Sequence, residues 1–238
     1  MVTSSASRVC SAWSIIRVGW AAALLVLSST YVMADPVVVN CDQGQSLNRT
    51  LSRLDKHSPA TVLVIGTCTE FIQVNGFEDL TLEGLPGAAL QQPSKDPGSG
   101  LVLVLLIYTS RSITIDGFAI HSGASALGGI GIARNSIDVQ LRNLNVDGAG
   151  AFGIFVFESS QVSLARVTAR DPGFATVGVA DVSDDVHIES SLFENSTIES
   201  PAGTNFYGVS VGSGSLLNVG DTKLRITNPG SGDIEPLP

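Results

Sequence analysis

The sequence predicts an all-β solenoid of short strands stacked in parallel, and two observations carry this prediction. The first is a recurring pattern, Ser-x-x-aliphatic-x-aliphatic-x-x-apolar, whose copies begin at Ser110, Ser136, Ser159 and Ser183. Its period of roughly 23–26 residues lies in the range of solenoid repeats. The second is the alternation of apolar and polar residues inside each copy, which indicates strands rather than helices.

Residues 1–34 have the features of a secretory signal peptide. Arg8 and Arg17 precede an apolar run over 18–27, and small residues at 32–34 suit a signal peptidase. A membrane anchor is the alternative, but the apolar run is too short to cross a bilayer. We therefore expect cleavage after Ala34, a secreted or periplasmic protein, and no membrane span after cleavage.

The remaining chain divides into a cap, a solenoid and a tail. A helix is expected over 42–54, where Leu47, Leu51 and Leu54 are spaced as one apolar stripe, and we expect it to cover the open end of the first coil. The cap is assigned to 35–60, the solenoid of about six coils to 61–227, and a flexible tail to 228–238. Strands are expected at 62–65, 71–74 and 101–107, with a Gly- and Pro-rich surface loop over 85–100.

Two cysteines, Cys41 and Cys68, remain after removal of the leader. In an exported chain such a pair favours one disulfide, here between the cap and the first strands. Two buried free thiols are the alternative.

The charge balance excludes some partners. Without Arg8 and Arg17 the chain has 11 basic and 22 acidic residues, a net charge of −11. This disfavours nucleic acid and anionic membranes. It also disfavours polyuronates unless a cation bridges the two. Aromatic residues make up only 6% of the sequence, so a broad sugar-stacking surface is not evident.

The pattern resembles the right-handed parallel β-helix proteins of the pectin-lyase-like superfamily. The resemblance covers about Val37 to Ile226. It rests on the Ser-x-x-Val-x-Leu unit and on the Gly-Ile or Gly-Val steps at 129–130, 153–154 and 178–179. It implies a coil of three sheets and a cleft along one outer face. In the superfamily's enzymes that cleft carries polysaccharide lyase, hydrolase or epimerase chemistry, whereas many relatives share only the scaffold.

One candidate site lies on the flat outer face, where residues between the inward aliphatic positions point outward. Asp185, His187 and Glu189 share a strand and a face there, and carboxylates beside a histidine can divide acid and base work. Gln140 and Arg142 lie on the same face, with Arg142 about two coils or ~10 Å away, as substrate-binding candidates. The alternative is a solvated ladder of hydrogen bonds.

A second candidate lies on the turns that follow the repeat. His121, Asp147 and Asp171 recur at nearly one per coil, and carboxylates on neighbouring coils would stand about 5 Å apart, near the spacing of retaining glycosidases. The alternative is that Asp occupies turns because its side chain bonds nearby backbone. Phe206 and Tyr207, in the longest turn, are candidates for a sugar-stacking wall.

The catalytic signatures of known superfamily enzymes are largely absent. The pair Asp184-Asp185 matches part of the polygalacturonase pattern, and 171–173 retain only the start of the epimerase pattern. Asp184, Asp185 and Glu189 have the oxygen ligands that calcium requires, but no basic catalytic residue accompanies them. We therefore predict no cofactor and assign no metal ligand.

Three functions remain open. The first is a carbohydrate-active protein, a lyase, hydrolase or epimerase with a divergent site. The second is a non-catalytic envelope module that binds glycan or protein. The third is a structural or adhesive β-helix, which would make end-to-end protein contacts at its C-terminal coil.

Overall fold

Short strands paired in parallel make up most of the chain. The computed structural model describes residues 35–94, 102–123, 125–172, 175–180, 184–189, 192–195, 207–211, 217–218, 223–226 and 234–236. All the strand pairs in this part of the chain are parallel, as the stacked-coil prediction requires. The predicted signal peptide lies outside the described residues.

The larger sheet, sheet 1, has thirteen strands in two limbs. The first limb runs in the order β1 (Val37–Asn40), β2 (Ala60–Ile65), β5 (Glu78–Gly84), β8 (Arg111–Asp116), β11 (Ile137–Ala149), β13 (Ser160–Pro172), β15 (Asp184–Glu189) and β18 (Leu217–Asn218). The second contains β3 (Thr67–Thr69), β6 (Ala89–Gln91), β9 (Ala119–His121), β16 (Leu192–Asn195) and β19 (Lys223–Ile226). The long strands β11 and β13 run through both limbs and join them.

Sheet 2 has seven strands and forms the remaining face of the coils. Its order is β4 (Ile72–Asn75), β7 (Leu103–Tyr108), β10 (Gly128–Ala133), β12 (Phe152–Phe157), β14 (Ala175–Ala180), β17 (Tyr207–Val211) and β20 (Ile234–Pro236). The predicted Gly-Ile and Gly-Val steps lie in β10, β12 and β14. The coil of three faces that the resemblance implied is therefore two hydrogen-bonded sheets, one of them bent.

The core consists of aliphatic side chains stacked in columns between these sheets. Strand register places Leu80, Ile113, Val139, Val162 and Val186 above one another, and each is at most 1% exposed. The alternate residues of the same strands face outward, as the sequence pattern predicted. The period of the pattern therefore sets which side chains stack.

The serines that begin the first three repeats are buried, and the fourth, Ser183, lies outside the described residues. Ser110, Ser136 and Ser159 are at most 4% exposed, and each hydroxyl donates to a carbonyl two or three residues earlier, at 2.8–2.9 Å. Ser110 also accepts from the backbone N–H of Phe77, one coil away, at 3.2 Å. The repeated serine satisfies backbone groups at the corner where the chain passes from sheet 2 to sheet 1.

The bend between the two limbs of sheet 1 uses one left-handed residue per coil. Gly117, Asn143 and Arg166 have φ of 80°, 50° and 55° at this corner. Asn143 Nδ2 donates to Asp116 Oδ1 at 2.6 Å, and Arg166 Nε donates to Asn143 Oδ1 at 2.6 Å. These side-chain bonds run from coil to coil and offset part of the cost of the left-handed backbone.

The α-helix of the N-terminal cap is shorter than the sequence predicted. The expected helix over 42–54 is a 3-10 helix, Cys41–Gln43, followed by α1, Leu47–Leu51. Leu47 and Leu51 are buried against the core, with Leu54 partly buried beside them, so the predicted apolar stripe is confirmed. Asp42 and Ser46 explain the break, because their side chains bond backbone N–H groups of Thr67 and Arg49 and so favour turns.

Glutamate 70 fixes α1 on the first coil. Its carboxylate accepts from Leu47 N at 2.6 Å, from Ser46 Oγ at 2.8 Å and from Asn48 Nδ2 at 3.0 Å. In the turn after α1, the Ser58 hydroxyl and the His57 N–H donate to Asp55, and these bonds hold the pKa of that carboxyl below its usual value. The cap is thus ordered by polar contacts as well as by its leucines.

Three strands extend beyond the predicted elements. β1 lies within the segment assigned to the cap and pairs with β2, so residues 37–40 already belong to sheet 1. β6 lies within the expected surface loop and pairs with β3 and β9, because Leu90 is fully buried. β20 lies within the segment assigned to a tail and pairs with β17.

The Cys41–Cys68 disulfide is present, with its Cα atoms 5.0 Å apart. It closes a loop with a sequence separation of 27, and the chain-entropy relation gives about 3.5 kcal/mol of stabilisation for such a loop. The double variant Cys41→Ser/Cys68→Ser is therefore expected to lower the free energy of unfolding by about that amount. Urea denaturation followed by circular dichroism measures it. An unchanged midpoint would mean that the cap contacts alone hold the first coil.

Ser136→Ala tests the buried serine row. It leaves the Ala133 carbonyl without its bond from the hydroxyl, at an expected cost of about 1–3 kcal/mol. Ser163→Ala, on the outer side of β13, is the matched control and should change stability by less than about 0.5 kcal/mol. Equal effects in thermal denaturation would contradict a special role of the buried row.

Candidate functional site

The structure brings together two of the sequence candidates, His121 and Asp147. His121 ends β9, and the parallel register of β9 with β11 places it beside Asp147. His121 Nδ1 lies 2.9 Å from Asp147 Oδ1 and 3.0 Å from Oδ2. The two side chains are 44% and 36% exposed, so the pair is open to solvent. We call it the His121–Asp147 dyad.

The turns that follow these residues hold the dyad in place. Ser122 N donates to Asp147 O at 2.9 Å, which continues the pairing of the two coils past His121. On the coil below, the Gln92 side chain accepts from Gly123 N at 2.6 Å and donates to Ser125 Oγ at 2.9 Å. The Ser122 hydroxyl is buried and has no hydrogen-bond partner within the described residues.

A glycine lets the two turns approach closely. Gly148 follows Asp147 with φ of +61°, and a Cβ atom built there would lie 2.7 Å from the carbonyl oxygen of Ser122. A side chain at this position therefore requires both a strained backbone and a displaced turn.

The dyad belongs to a row of polar residues that crosses the second limb of sheet 1. Strand register aligns Gln91, His121, Asp147, Arg170 and Glu194. His121, Asp147 and Arg170 each follow a buried residue of the repeat by three positions, namely Phe118, Leu144 and Val167. Counting three positions from the last buried residue of each repeat therefore identifies the row. This offset is the sequence signal by which Arg170 could have been found.

The predicted carboxylate pair is wrong in its register. Asp147 pairs with Arg170, and Asp171 lies one residue further along β13, between the Asp147–Arg170 and Ala149–Pro172 pairs. Asp171 follows Val167 by four positions rather than three, and successive strand residues alternate between faces. The neighbour of Asp147 on the next coil is thus a cation. The neighbour on the previous coil is a histidine.

The flat-face residues occupy the predicted positions on sheet 1. Register aligns Gln140 with His187 through Ser163, and Arg142 with Glu189 through Ala165, so Arg142 is two strands from Glu189 as expected. Arg142 Nη2 donates to Gln140 Oε1, and Gln140 Nε2 donates to Asp138 Oδ1 at 3.3 Å. The side chains of these two substrate-binding candidates are therefore hydrogen-bonded to neighbouring side chains. This agrees with the alternative interpretation of the flat face, a solvated surface of hydrogen-bonded side chains.

Several candidates lie at or beyond the limit of what the structure describes. Asp171, Asp185 and Glu189 are placed on their strands by the backbone alone. Phe206 lies outside the described residues. Tyr207 begins β17 and shares a register column of sheet 2 with Ala175 and Phe152.

A group of potential metal ligands lies in the cap. Cys41, Cys68 and Glu70 have donor atoms within 4.8 Å of one another. The two sulfur atoms form the disulfide, and Glu70 is bonded to the N-terminus of α1. These residues therefore serve the fold, and thiolate coordination is unavailable to them in the oxidised protein. The calcium ligands considered at 184, 185 and 189 remain a prediction.

Sequence reasoning missed an aromatic cluster on the outer face of sheet 2. Phe152, Phe155 and Phe157 lie half-buried on β12, with ring centroids 4.6 Å apart for the first pair and 5.9 Å apart for the second. Beside β4 and β7 on the same sheet, a cavity of about 380 Å³ is lined by Gln73, Asn75 and Tyr108, among others. The signal was available as three phenylalanines within one six-residue strand.

Comparison with known proteins establishes the fold and no more. No protein-family model matches the chain, and no curated protein sequence does. Among solved structures, an alginate lyase from Paenibacillus sp. strain FPU-7 is similar with 14% identity and a TM-score of 0.52, over 76% of this chain. This chain spans 66% of the length of that lyase. The fold is a parallel β-helix.

Two further solved structures are similar at lower scores. A pectin methylesterase variant in complex with a hexasaccharide has 10% identity and a TM-score of 0.41, over 87% of this chain and 93% of that one. The Streptococcus pneumoniae surface protein and adhesin PfbA has 12% identity and a TM-score of 0.36, over 75% and 67%. Within the described residues, no helix is long and apolar enough to cross a membrane.

Gly148→Ala is expected to disturb the dyad, and Gly87→Ala is its matched control. Both glycines have positive φ, but a Cβ atom at Gly87 would meet nothing within 4 Å. Gly87→Ala should cost about 1 kcal/mol from backbone strain alone. Gly148→Ala should cost roughly 1–3 kcal/mol more, because the Ser122 turn must move. Denaturant unfolding measures both, and equal costs would mean that the turns are free to separate.

Proposed function

We propose that this protein is an extracytoplasmic polysaccharide-processing β-helix in which the His121–Asp147 dyad supplies the general base and acid. One observation carries the proposal: a histidine and a carboxylate, contributed by neighbouring coils, are bonded to each other at a solvent-accessible surface. The disulfide and the predicted leader support a location outside the cytoplasm. The Paenibacillus protein of similar fold is an alginate lyase, which accords with a polysaccharide substrate.

The geometry of the dyad gives each member a role. Because His121 Nδ1 faces the carboxylate, the neutral ring carries its proton on Nδ1 and leaves Nε2 as the basic nitrogen. Nε2 has no hydrogen-bond partner within the described residues, so it can accept a proton. In hydrolysis that proton comes from the water that attacks the glycosidic carbon, and in elimination it comes from the carbon next to the carboxyl group of a uronate. Asp147 orients the ring and stabilises the imidazolium that then forms. The protonated ring can return the proton to the leaving oxygen.

Arg170 occupies the position next to Asp147 in the same row and is exposed. The strand register puts it on the coil that follows Asp147, on the opposite side from the coil of His121, so it adds a positive charge to this row. Whether the bond is broken by elimination or by hydrolysis depends on the sugar, and the assay below distinguishes the two. A covalent route through paired carboxylates is disfavoured by the register of Asp147 and Arg170.

A second candidate function is a non-catalytic envelope or adhesive module that binds glycan. It is favoured by the aromatic cluster of sheet 2, which can hold a sugar without any acid or base. The end-to-end protein contact expected at the C-terminal coil belongs to this candidate.

Turnover should depend on both members of the dyad. His121→Ala and Asp147→Asn are expected to lower kcat by about 10²- to 10⁴-fold, with KM changed little, because the first removes the base and the second permits the wrong tautomer. The assay uses a panel of acidic and neutral polysaccharides with and without calcium, and follows unsaturated-product absorbance and reducing ends together.

His57→Ala is the matched control. His57 also faces a carboxylate, with Nδ1 3.6 Å from Glu78 Oε2, but its side chain is 76% exposed in the cap and remote in sequence from the turns. Its loss should leave kcat unchanged. Turnover that survives in both dyad variants would refute the assignment, and binding without turnover on every glycan would favour the second candidate.

A further inference from the structure

Six of the seven strands of sheet 2 carry no charged residue. Strands β4, β7, β10, β12, β14 and β17 contain no Asp, Glu, Lys, Arg or His, although 15% of the chain is charged. The seventh strand, β20, contains Glu235, at the C-terminal end of the sheet. The outer positions of sheet 1, by contrast, include Glu83, Asp116 and Arg142. The six strands from β4 to β17 therefore form a surface without charged residues in a chain whose net charge is −9.

Aromatic rings occupy the middle of this face. Phe152 and Phe155 stack at 4.6 Å with an interplanar angle of 24°, and Phe157 is tilted against Phe155 by 38°. The rings extend over Gly178 of the next coil, where a Cβ atom would lie 2.6–3.0 Å from them. Because glycine has no side chain, the rings can pack against the backbone of the sheet at that position. They therefore form a flat apolar surface.

Hydrogen-bonding groups lie on the same face two and three strands from the rings, at its N-terminal end. Gln73, Asn75 and Tyr108 point outward from β4 and β7 and line the cavity of about 380 Å³. No carboxylate lines that cavity, and its single cation, Lys56, lies with Nζ 5.6 Å from the centroid of the Phe77 ring. The Gln73 amide and the Tyr108 hydroxyl have no hydrogen-bond partner within the described residues, so both are available to a ligand.

Only a few residues of the chain separate the aromatic cluster from the dyad. Phe152 follows Asp147 after a single turn over 148–151, and it lies at the end of β12 that is nearer to that turn. A ligand held on the rings therefore lies on the side of the coils that leads to His121.

We propose that the outer face of sheet 2 binds an uncharged polysaccharide, a substrate class that rests on the proposed function. Pyranose rings present apolar C–H faces, which pack on the phenylalanines, while their hydroxyls bond the amides and the hydroxyl of the cavity. A polyuronate would place several carboxylates on a face where Lys56 is the one cation described, and the desolvation of the unmatched carboxylates would oppose binding. The composition of the face thus selects against acidic chains.

Calorimetric titration of the purified protein tests this proposal. The ligands are hexasaccharides of neutral sugars (cello-, xylo-, manno- and malto-oligosaccharides) and hexagalacturonate as the acidic counterpart. At least one neutral chain should bind, and Phe155→Ala and Phe157→Ala should each weaken it by about tenfold. Lys56→Gln should weaken neutral-chain binding less than either phenylalanine variant does, because the ligand has no charge for Nζ to match.

Leu63→Ala is the matched control. It removes a half-buried apolar side chain from the outer side of sheet 1, in the column of Glu83, and should not change the Kd. Thermal denaturation of each variant separates a structural role of the phenylalanines from a binding role. Phenylalanine variants that lose stability but keep the Kd would overturn the proposal.

The outcomes also separate this proposal from the catalytic one. Binding of hexagalacturonate that is lost in Lys56→Gln, with turnover that is lost in His121→Ala, would overturn the neutral substrate class and keep the dyad as the catalyst. Neutral-chain binding that needs Phe155, without turnover on any glycan, would overturn the catalytic function and keep the binding face. Self-association in sedimentation velocity that Phe155→Ala abolishes would show that a second copy covers the face, and would overturn the proposal.

Discussion

The vertical register of the coils is the constraint on which the rest of the structure depends. Each inward aliphatic residue must lie on its counterpart in the previous coil, because the interior is only wide enough for stacked side chains and any offset would leave cavities. Parallel hydrogen bonds between coils fix the same register in the backbone. Once the columns of Ile113 and Val139 are aligned, every outward residue of those strands is placed as well. The surface rows are thus a by-product of core packing.

The dyad is an example of this dependence. His121 and Asp147 come from different coils and are 26 positions apart in sequence, yet no dedicated loop brings them together. They meet because each follows a buried residue of its own coil by the same number of positions. Gly148 and Ser122 then keep the two turns close. The site needs little beyond the repeat itself, whereas sites built on long loops must also order those loops.

The repeat made much of the architecture predictable, because alternation with a fixed period allows few structures other than stacked strands. The inward columns and the positions of Gln140, Arg142 and His187 followed from it. The capping leucines followed instead from their helical spacing, and the disulfide from the presence of two cysteines in an exported chain. The site was harder to predict. Asp171 was matched to Asp147 by residue type, whereas the register is set by distance from the buried residue, and Arg170 is the true neighbour.

The remaining misses have physical causes as well. Asp42 and Ser46 interrupt the helix through side-chain bonds to backbone that an apolar stripe does not reveal. The sequence pattern does not predict the cluster at Phe152, because the strands of sheet 2 lack the serine motif. The low aromatic content of the whole chain also does not reveal whether its aromatic residues lie close together. Whole-chain averages of charge likewise conceal that six neighbouring strands of sheet 2 have no charged residue.

A chain in which each coil touches only its neighbours can also change in length without a change in plan. The buried serine row and the aliphatic columns would accept an additional coil at almost any step, since each new unit repeats the same contacts. The step between β9 and β11 is different, because a coil inserted there would separate His121 from Asp147 by a further strand spacing of about 4.8 Å. Duplication of a coil could therefore lengthen the solenoid at many steps, but at this one it would break the contact between His121 and Asp147.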